Sequence, residues 1–198
     1  MSKTTIPTGG FADSAVTTAK ITDGTIATAD IADSAVTAAK TSGVSGLAEA
    51  DQWRLTADFS SDNTDPIASN WERNDTTFDK VGTGLSESSG VFTFPSTGIY
   101  FIEFTSNYMI NGQTGYSNVF VKLTTDNSSY NTVANSSSAI GNLSTDSYLS
   151  LSTGVTVDIT NVSTHKVRFG VGGQASVLWR GDSGRNETFV TFLKLGAT

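Results

Sequence analysis

Large apolar residues recur at two different spacings along this chain, and the change of spacing divides it. From residue 11 to residue 36 they fall at every fifth position, as Phe11, Val16, Ile21, Ile26, Ile31 and Val36, with a small residue (Ala19, Gly24, Ala29, Ser34) two positions before most of them. Ala12-Asp-Ser-Ala-Val16 returns as Ala32-Asp-Ser-Ala-Val36, so this is an internal repeat. A five-residue period fits neither regular element. In a strand an odd spacing throws successive apolar residues to opposite faces, and in an α-helix it overshoots one turn, so the stripe winds around the cylinder. The chain is therefore expected to turn more often than either. Past residue 47 the spacing becomes two: Tyr100, Ile102 and Phe104 share one parity, Val119, Val121 and Leu123 another, and Leu149, Leu151, Val155, Val157 and Ile159 a third. Alternation of this kind predicts half-buried antiparallel strands.

These patterns give three regions: an arm over 1–42, a hinge over 43–50 and a head domain over 51–198. Composition changes with them, because the only aromatic residue of the arm is Phe11 and the rest is Ala, Thr, Asp and small apolar residues, too little to pack a core alone. The arm resembles the pentapeptide-repeat pattern, whose members form four-sided coils, but its few repeats amount to little more than one coil. Three copies wound around one axis, or an arm laid on a larger protein surface, would bury the row. An Ala-rich helix over 27–40 and a disordered linker are the alternatives.

In the head, residues 46–55 have the composition of a short helical turn leading into a strand over 53–59. A loop over 60–66, dense in Ser, Asp and Asn, follows, then short runs at 71–73 and 81–85. Residues 90–104 hold two strands joined by a turn carrying Pro95 and Gly98. Strands are predicted over 118–124 and 147–159, separated by a polar excursion over 125–142 with room for one weak strand. Further strands fall at 166–171, 175–180 and 187–195. The fold class is thus all-β, an antiparallel sandwich. Two of its strands are apolar on both parities: Ile99 and Phe101 oppose Tyr100 and Ile102, and Phe189, Leu193 and Leu195 oppose Val190 and Phe192. Strands of this kind are covered on both faces, and a partner chain is the economical cover.

The run Gly90-Val-Phe-Thr-Phe-Pro-Ser-Thr-Gly-Ile-Tyr-Phe-Ile102, the preceding Gly82-Thr-Gly-Leu85 and the closing Phe189-Val-Thr-Phe-Leu-Lys-Leu195 resemble the jelly-roll head shared by complement globular domains and tumour necrosis factor. The likeness covers most of residues 50–198. In that family the two matching strands lie in an inner sheet that packs against two other subunits around a threefold axis. The resemblance therefore implies a jelly-roll homotrimer, with Phe101, Val190 and Phe192 expected near the axis. An Ala-Asp-Ser-Ala-Val arm introduced by Ile6-Pro-Thr-Gly-Gly10 and followed by such a head further resembles short fibre and decoration proteins of tailed bacteriophages. That second likeness implies a virion-surface protein anchored to capsid or tail proteins through Phe11, Val16, Ile21, Ile26, Ile31 and Val36.

Charge and chemistry narrow the function classes. With 12 basic and 19 acidic residues the net charge is −7, and the acids are scattered, which argues against nucleic acid as the main partner because phosphate binding needs a concentrated basic face. Cysteine is absent, so disulfides and thiolate metal sites are excluded. No apolar run reaches the roughly 18 residues of a membrane span, and Met1-Ser-Lys-Thr-Thr leads into no signal-peptide core. Membrane insertion is not expected, and synthesis is expected in the cytosol. The single histidine, His165, lies in a polar turn with no cysteine or carboxylate cluster, and Gly170-Val-Gly-Gly173 lacks the Lys-Ser/Thr of a phosphate loop. An Asx-rich turn is favoured over a calcium site at 60–66, and Arg180-Gly-Asp182 is taken as a chance tripeptide. A non-enzymatic protein with no cofactor is expected. Tyr116, Tyr130 and Tyr148, set among Asn and Ser, offer stacking surfaces should the head recognise host-surface glycan.

Overall fold

The computed structural model describes residues 17, 19, 21, 26–32, 35, 36, 46–111, 115–140 and 145–198, with backbone only for 28, 111, 140 and 174–176. The chain divides into two compact units, Met1–Ser45 and Gly46–Thr198.

In the first unit the described residues turn with the period of the sequence. Thr28–Asp30 is a 3-10 turn. Asp30 N–H donates to the Ala27 carbonyl (2.9 Å) and Ala27 N–H donates to Asp30 Oδ2 (2.9 Å), so the aspartate closes its own turn. Five residues on, Ala35 N–H donates to the Ala32 carbonyl at 3.0 Å. These turns, and the non-helical backbone at 31, 32, 35 and 36, overturn a continuous α-helix over 27–40. Phe11 and Val16 lie outside the described residues.

The second unit is an all-β antiparallel jelly-roll sandwich of twelve strands: β1 (Ala50–Leu55), β2 (Phe59–Thr64), β3 (Trp71–Arg73), β4 (Lys80–Val81), β5 (Ser86–Ser88), β6 (Val91–Thr93), β7 (Gly98–Asn111), β8 (Gly115–Thr124), β9 (Asn131–Ile140), β10 (Asp146–Ile159), β11 (Lys166–Trp179) and β12 (Thr188–Gly196). One layer runs β3-β1-β12-β7-β10, with β4 beside β3 along the same edge of β1. The other runs β5-β6-β11-β8-β9, with β2 on the free edge of β11 beyond β6. At its far end β11 also pairs with β7, at Val177↔Ile110, and so joins the layers.

Between the layers the alternating residues meet. Tyr100, Ile102, Phe104, Val119, Val121, Val157, Ile159, Phe169 and Phe192 are all buried there. The centre is aromatic: Phe92 sits 5.5 Å from Trp53, 5.4 Å from Trp71 and 5.4 Å from Phe169, each nearly edge to face. Tyr100 and Tyr108 are both buried, and their phenol pKa values are raised chiefly by that burial.

Several elements depart from the sequence expectation. β1 begins at Ala50, where a helical turn was predicted, and β2 occupies most of the 60–66 loop. β9 is a full ten-residue strand inside the polar excursion, and the runs at 166–171 and 175–180 are one strand that passes through Gly172 and Gly173 with a bulge before Val177.

Candidate functional site

The alternation that buries Tyr100, Ile102 and Phe104 turns the other parity of β7 outward, away from the core. Register then sets three rows across the outward face of the first layer: Ala50, Leu193, Phe101, Thr156; Gln52, Thr191, Glu103, Gly154; and Arg54, Phe189, Thr105, Ser152. Phe101, Phe189 and Leu193 are half-buried on this face and form a broken apolar strip along β12 and β7, in which the polar row of Thr191 and Glu103 separates Phe189 from Leu193 and Phe101. The Phe101 ring leans across β10 at Gly154, where an added Cβ would lie 3.1 Å from Phe101 Cζ, tighter than ordinary contact.

Polar groups rim the strip. On one side Arg54 is buried yet fully engaged: Nε donates to Glu72 Oε1 (2.8 Å), Nη1 to Asn74 Oδ1 (3.2 Å), and Nη2 to Asp75 Oδ1 and Thr76 Oγ1 (both 2.9 Å). Gln52 Nε2 donates to Thr191 Oγ1 at 2.9 Å. On the other side the outward row of β10 is small and polar, with Thr105 Oγ1 donating to Ser152 Oγ at 2.9 Å. Toward one end the face dips into a depression of about 430 Å³ lined by Asn107, Tyr148, Ser150, Arg180 and Glu187, where Tyr148 is 67% exposed. Half-buried apolar side chains set among polar ones are compatible with a protein-protein contact.

Of the three residues expected near a subunit axis, only Phe101 lies on this face. Val190 and Phe192 are corrected: at 0% and 1% exposure they belong to the chain's own core, paired across β7 with Phe104 and Ile102, and have no surface to offer a partner. Phe189 and Leu193, on the opposite parity of the same strand, are the apolar residues of β12 that face outward. The signal was present as a strand apolar on both parities, but sequence does not tell which parity faces in.

The three tyrosines do not converge. Tyr148 lies on the outward face just described and Tyr116, 49% exposed, on the outward face of the other layer. Tyr130 sits in the β8–β9 connection beneath the Arg168 guanidinium, 4.1 Å from its ring centroid, so that ring face is already occupied. In the arm, Ile21, Ile26, Ile31 and Val36 are all exposed, at 42 to 55%.

The remaining sequence candidates are engaged structurally. Asp65 pairs with both Lys122 and Arg168. His165 is nearly buried, its ring nitrogens 3.1 and 3.4 Å from Thr164 and Thr160 hydroxyls. The Arg180-Gly-Asp182 tripeptide braces two loops: Gly181 N–H donates to Asp58 Oδ1 (2.8 Å) and Asp182 N–H to the Leu55 carbonyl (2.8 Å). Among the described residues no three His, Cys, Asp or Glu side chains converge as a metal site, and no helix is long and apolar enough to cross a membrane.

The two-layer order and the pairing of β1, β12, β7 and β10 define a jelly roll of the tumour-necrosis-factor kind. Solved structures share it. The chain is similar to Eiger TNF from S. frugiperda, with 13% identity and a TM-score of 0.56 over 75% of this chain and 93% of that one. It is also similar to murine APRIL, with 16% identity and a TM-score of 0.53 over 74% of this chain and 98% of that one. No protein-family model and no curated protein matches the sequence.

Proposed function

We propose that this chain is a non-enzymatic structural protein of a bacteriophage particle, a homotrimer whose repeat arm anchors it to the capsid and whose jelly-roll head projects outward. The observation that carries the reading is the apolar strip of Phe101, Phe189 and Leu193 on the outward face of the β3-β1-β12-β7-β10 layer. Three such faces around one axis would bury what one chain leaves in water. The arm supports the second half: its row of Ile21, Ile26, Ile31 and Val36 is exposed in the single chain and needs either sister arms or a particle surface to cover it. Three arms on one trimer attach multivalently, so modest contacts per arm hold the assembly through high effective concentration.

Light scattering coupled to size exclusion tests the assembly: the expected mass is three times the 20.7 kDa chain. Phe101→Asp together with Leu193→Asp is expected to give a folded monomer, because both changes fall on the outward face. A wild-type monomer, or an unchanged oligomer in the double variant, would remove the strip from the interface. Cryo-electron microscopy of the particle tests the location. Heads on the capsid lattice support decoration, and density confined to the tail overturns it.

A further inference from the structure

We propose that the opposite face of the head carries a binding site for a single unit of a neutral sugar. The site goes beyond the assembly reading and does not depend on it, since it belongs to the other layer and is complete within one chain.

Register places Asn63 of β2, Gly172 of β11 and Asn118 of β8 side by side in one outward row. Gly172 gives that row a floor of bare backbone. A Cβ there would lie 2.4 Å from Asn118 Oδ1, so a larger residue would both fill the hollow and displace the amide. The result is a trough of about 270 Å³ lined by Asp62, Asn63, Tyr116, Asn118 and Phe120 above Gly172.

The lining has unused recognition capacity. Neither the Asp62 carboxylate, the side-chain amides of Asn63 and Asn118 nor the Tyr116 hydroxyl makes a hydrogen bond with another described residue, and Asn118 Oδ1 is buried without a partner. Together they present a carboxylate acceptor, two amides that both donate and accept, and a phenol. Tyr116 adds an exposed ring held on a strand, an apolar face with a polar tip. Adjacent ring hydroxyls need acceptors and donors close together, and the C–H face of a pyranose needs a flat apolar surface; the trough supplies both within the space of about one ring.

Charge selects among sugars. Among the described lining residues Asp62 is the only ionic group. The cations on the same face, Lys122 and Arg168, are both held by Asp65. An acidic sugar or a phosphate would meet a carboxylate with no free cation, whereas a neutral ring would use the carboxylate as an acceptor.

Saturation-transfer NMR on the full chain tests this with methyl glycosides of glucose, galactose, mannose and N-acetylglucosamine, and with sialic acid as the charged comparison. Transfer to the ring protons of at least one neutral glycoside is expected, and none to sialic acid. Tyr116→Ala and Asn118→Ala are each expected to weaken binding about tenfold, while Tyr148→Ala, on the other layer, leaves it unchanged. Thermal melts of all three variants confirm that the head stays folded. The assignment is overturned by absence of transfer from every neutral glycoside, by preference for sialic acid, or by equal binding in Tyr116→Ala. None of these results bears on the trimer mass, which is measured separately.

Discussion

Replacing Phe192 by alanine separates a core role from an interface role. The ring is buried and stands 5.6 Å from Phe92, 5.9 Å from Phe169 and 6.4 Å from Phe94, so its neighbours come from β6, β11 and the turn before β7. Those elements lie across the sandwich or at its rim, and little of the cavity can close by local collapse. Phe→Ala at such a site costs about 3 to 5 kcal/mol, the aromatic contacts being part of that figure. For a domain of this size each kcal/mol lowers the melting temperature by about 2 to 4 °C, giving a drop of roughly 6 to 20 °C. The assay is differential scanning calorimetry at one fixed chain concentration, because any oligomer makes the transition concentration-dependent. Size exclusion of the protein that remains folded accompanies it. The expected outcome is a large thermal loss with no change in the subunit number of the folded fraction. A melting temperature within about 2 °C of wild type together with a fall to monomer would refute the assignment of Phe192 to the core.

Other outcomes follow from individual contacts. Asp51 is buried and accepts from Arg73 Nε (2.9 Å), Arg73 Nη2 (3.1 Å), Trp53 Nε1 (3.0 Å) and Leu85 N–H (2.7 Å), so Asp51→Ala should cost about 3 kcal/mol, read as a lower urea midpoint at unchanged slope. Asp126 accepts from Ser129 N–H (2.7 Å), Ser128 N–H (2.9 Å) and the Thr124 hydroxyl (2.8 Å), which hold its carboxyl well below the usual carboxylate range. A depressed folded pKa contributes stability that is complete above the unfolded value of about 3.9 and is lost as pH falls. Acid titration of stability should therefore be flatter in Asp126→Asn than in wild type, and parallel curves would count against the turn. Deleting residues 1–42 should leave the head's melting transition and subunit number intact while abolishing incorporation into particles; a head that no longer folds would contradict the division of labour.

Much of the fold was legible because burial and strand period coincide. β8 and β10 alternate, and in each the parity that carries most of the apolar residues is the one that faces in. β9 was legible only as room for one weak strand, for a physical reason: Asn131–Ile140 pairs with β8 and is mostly exposed, so Ser136, Ser137 and Ser138 carry no hydrophobic signal. The split in β11 was read from glycines that usually punctuate strands, whereas here the backbone continues and the missing side chains open the trough. At β12 both parities are apolar, and only the pairing of Val190 with Phe104 settles which faces in. The trough itself was illegible because Asn63, Tyr116 and Gly172 come from three separated segments.

The last of the twelve strands is not at an edge. β12 lies between β1 and β7, bonded to the first strand of the head on one side and to a central one on the other, and the Gln52 to Thr191 contact spans 139 residues. During synthesis the first layer therefore stays open as two separated parts until Thr188–Gly196 has left the ribosome. Until then Phe104 and Ile102 have cross-strand neighbours on β10 but lack those on β12, and the outward strip is incomplete, since Phe189 and Leu193 have yet to be placed. Closure through such distant pairings is slow. Under the proposed assembly it also imposes an order of events: a chain would become competent to recognise its copies only after its own sheet is finished, which would keep unfinished chains out of the assembly.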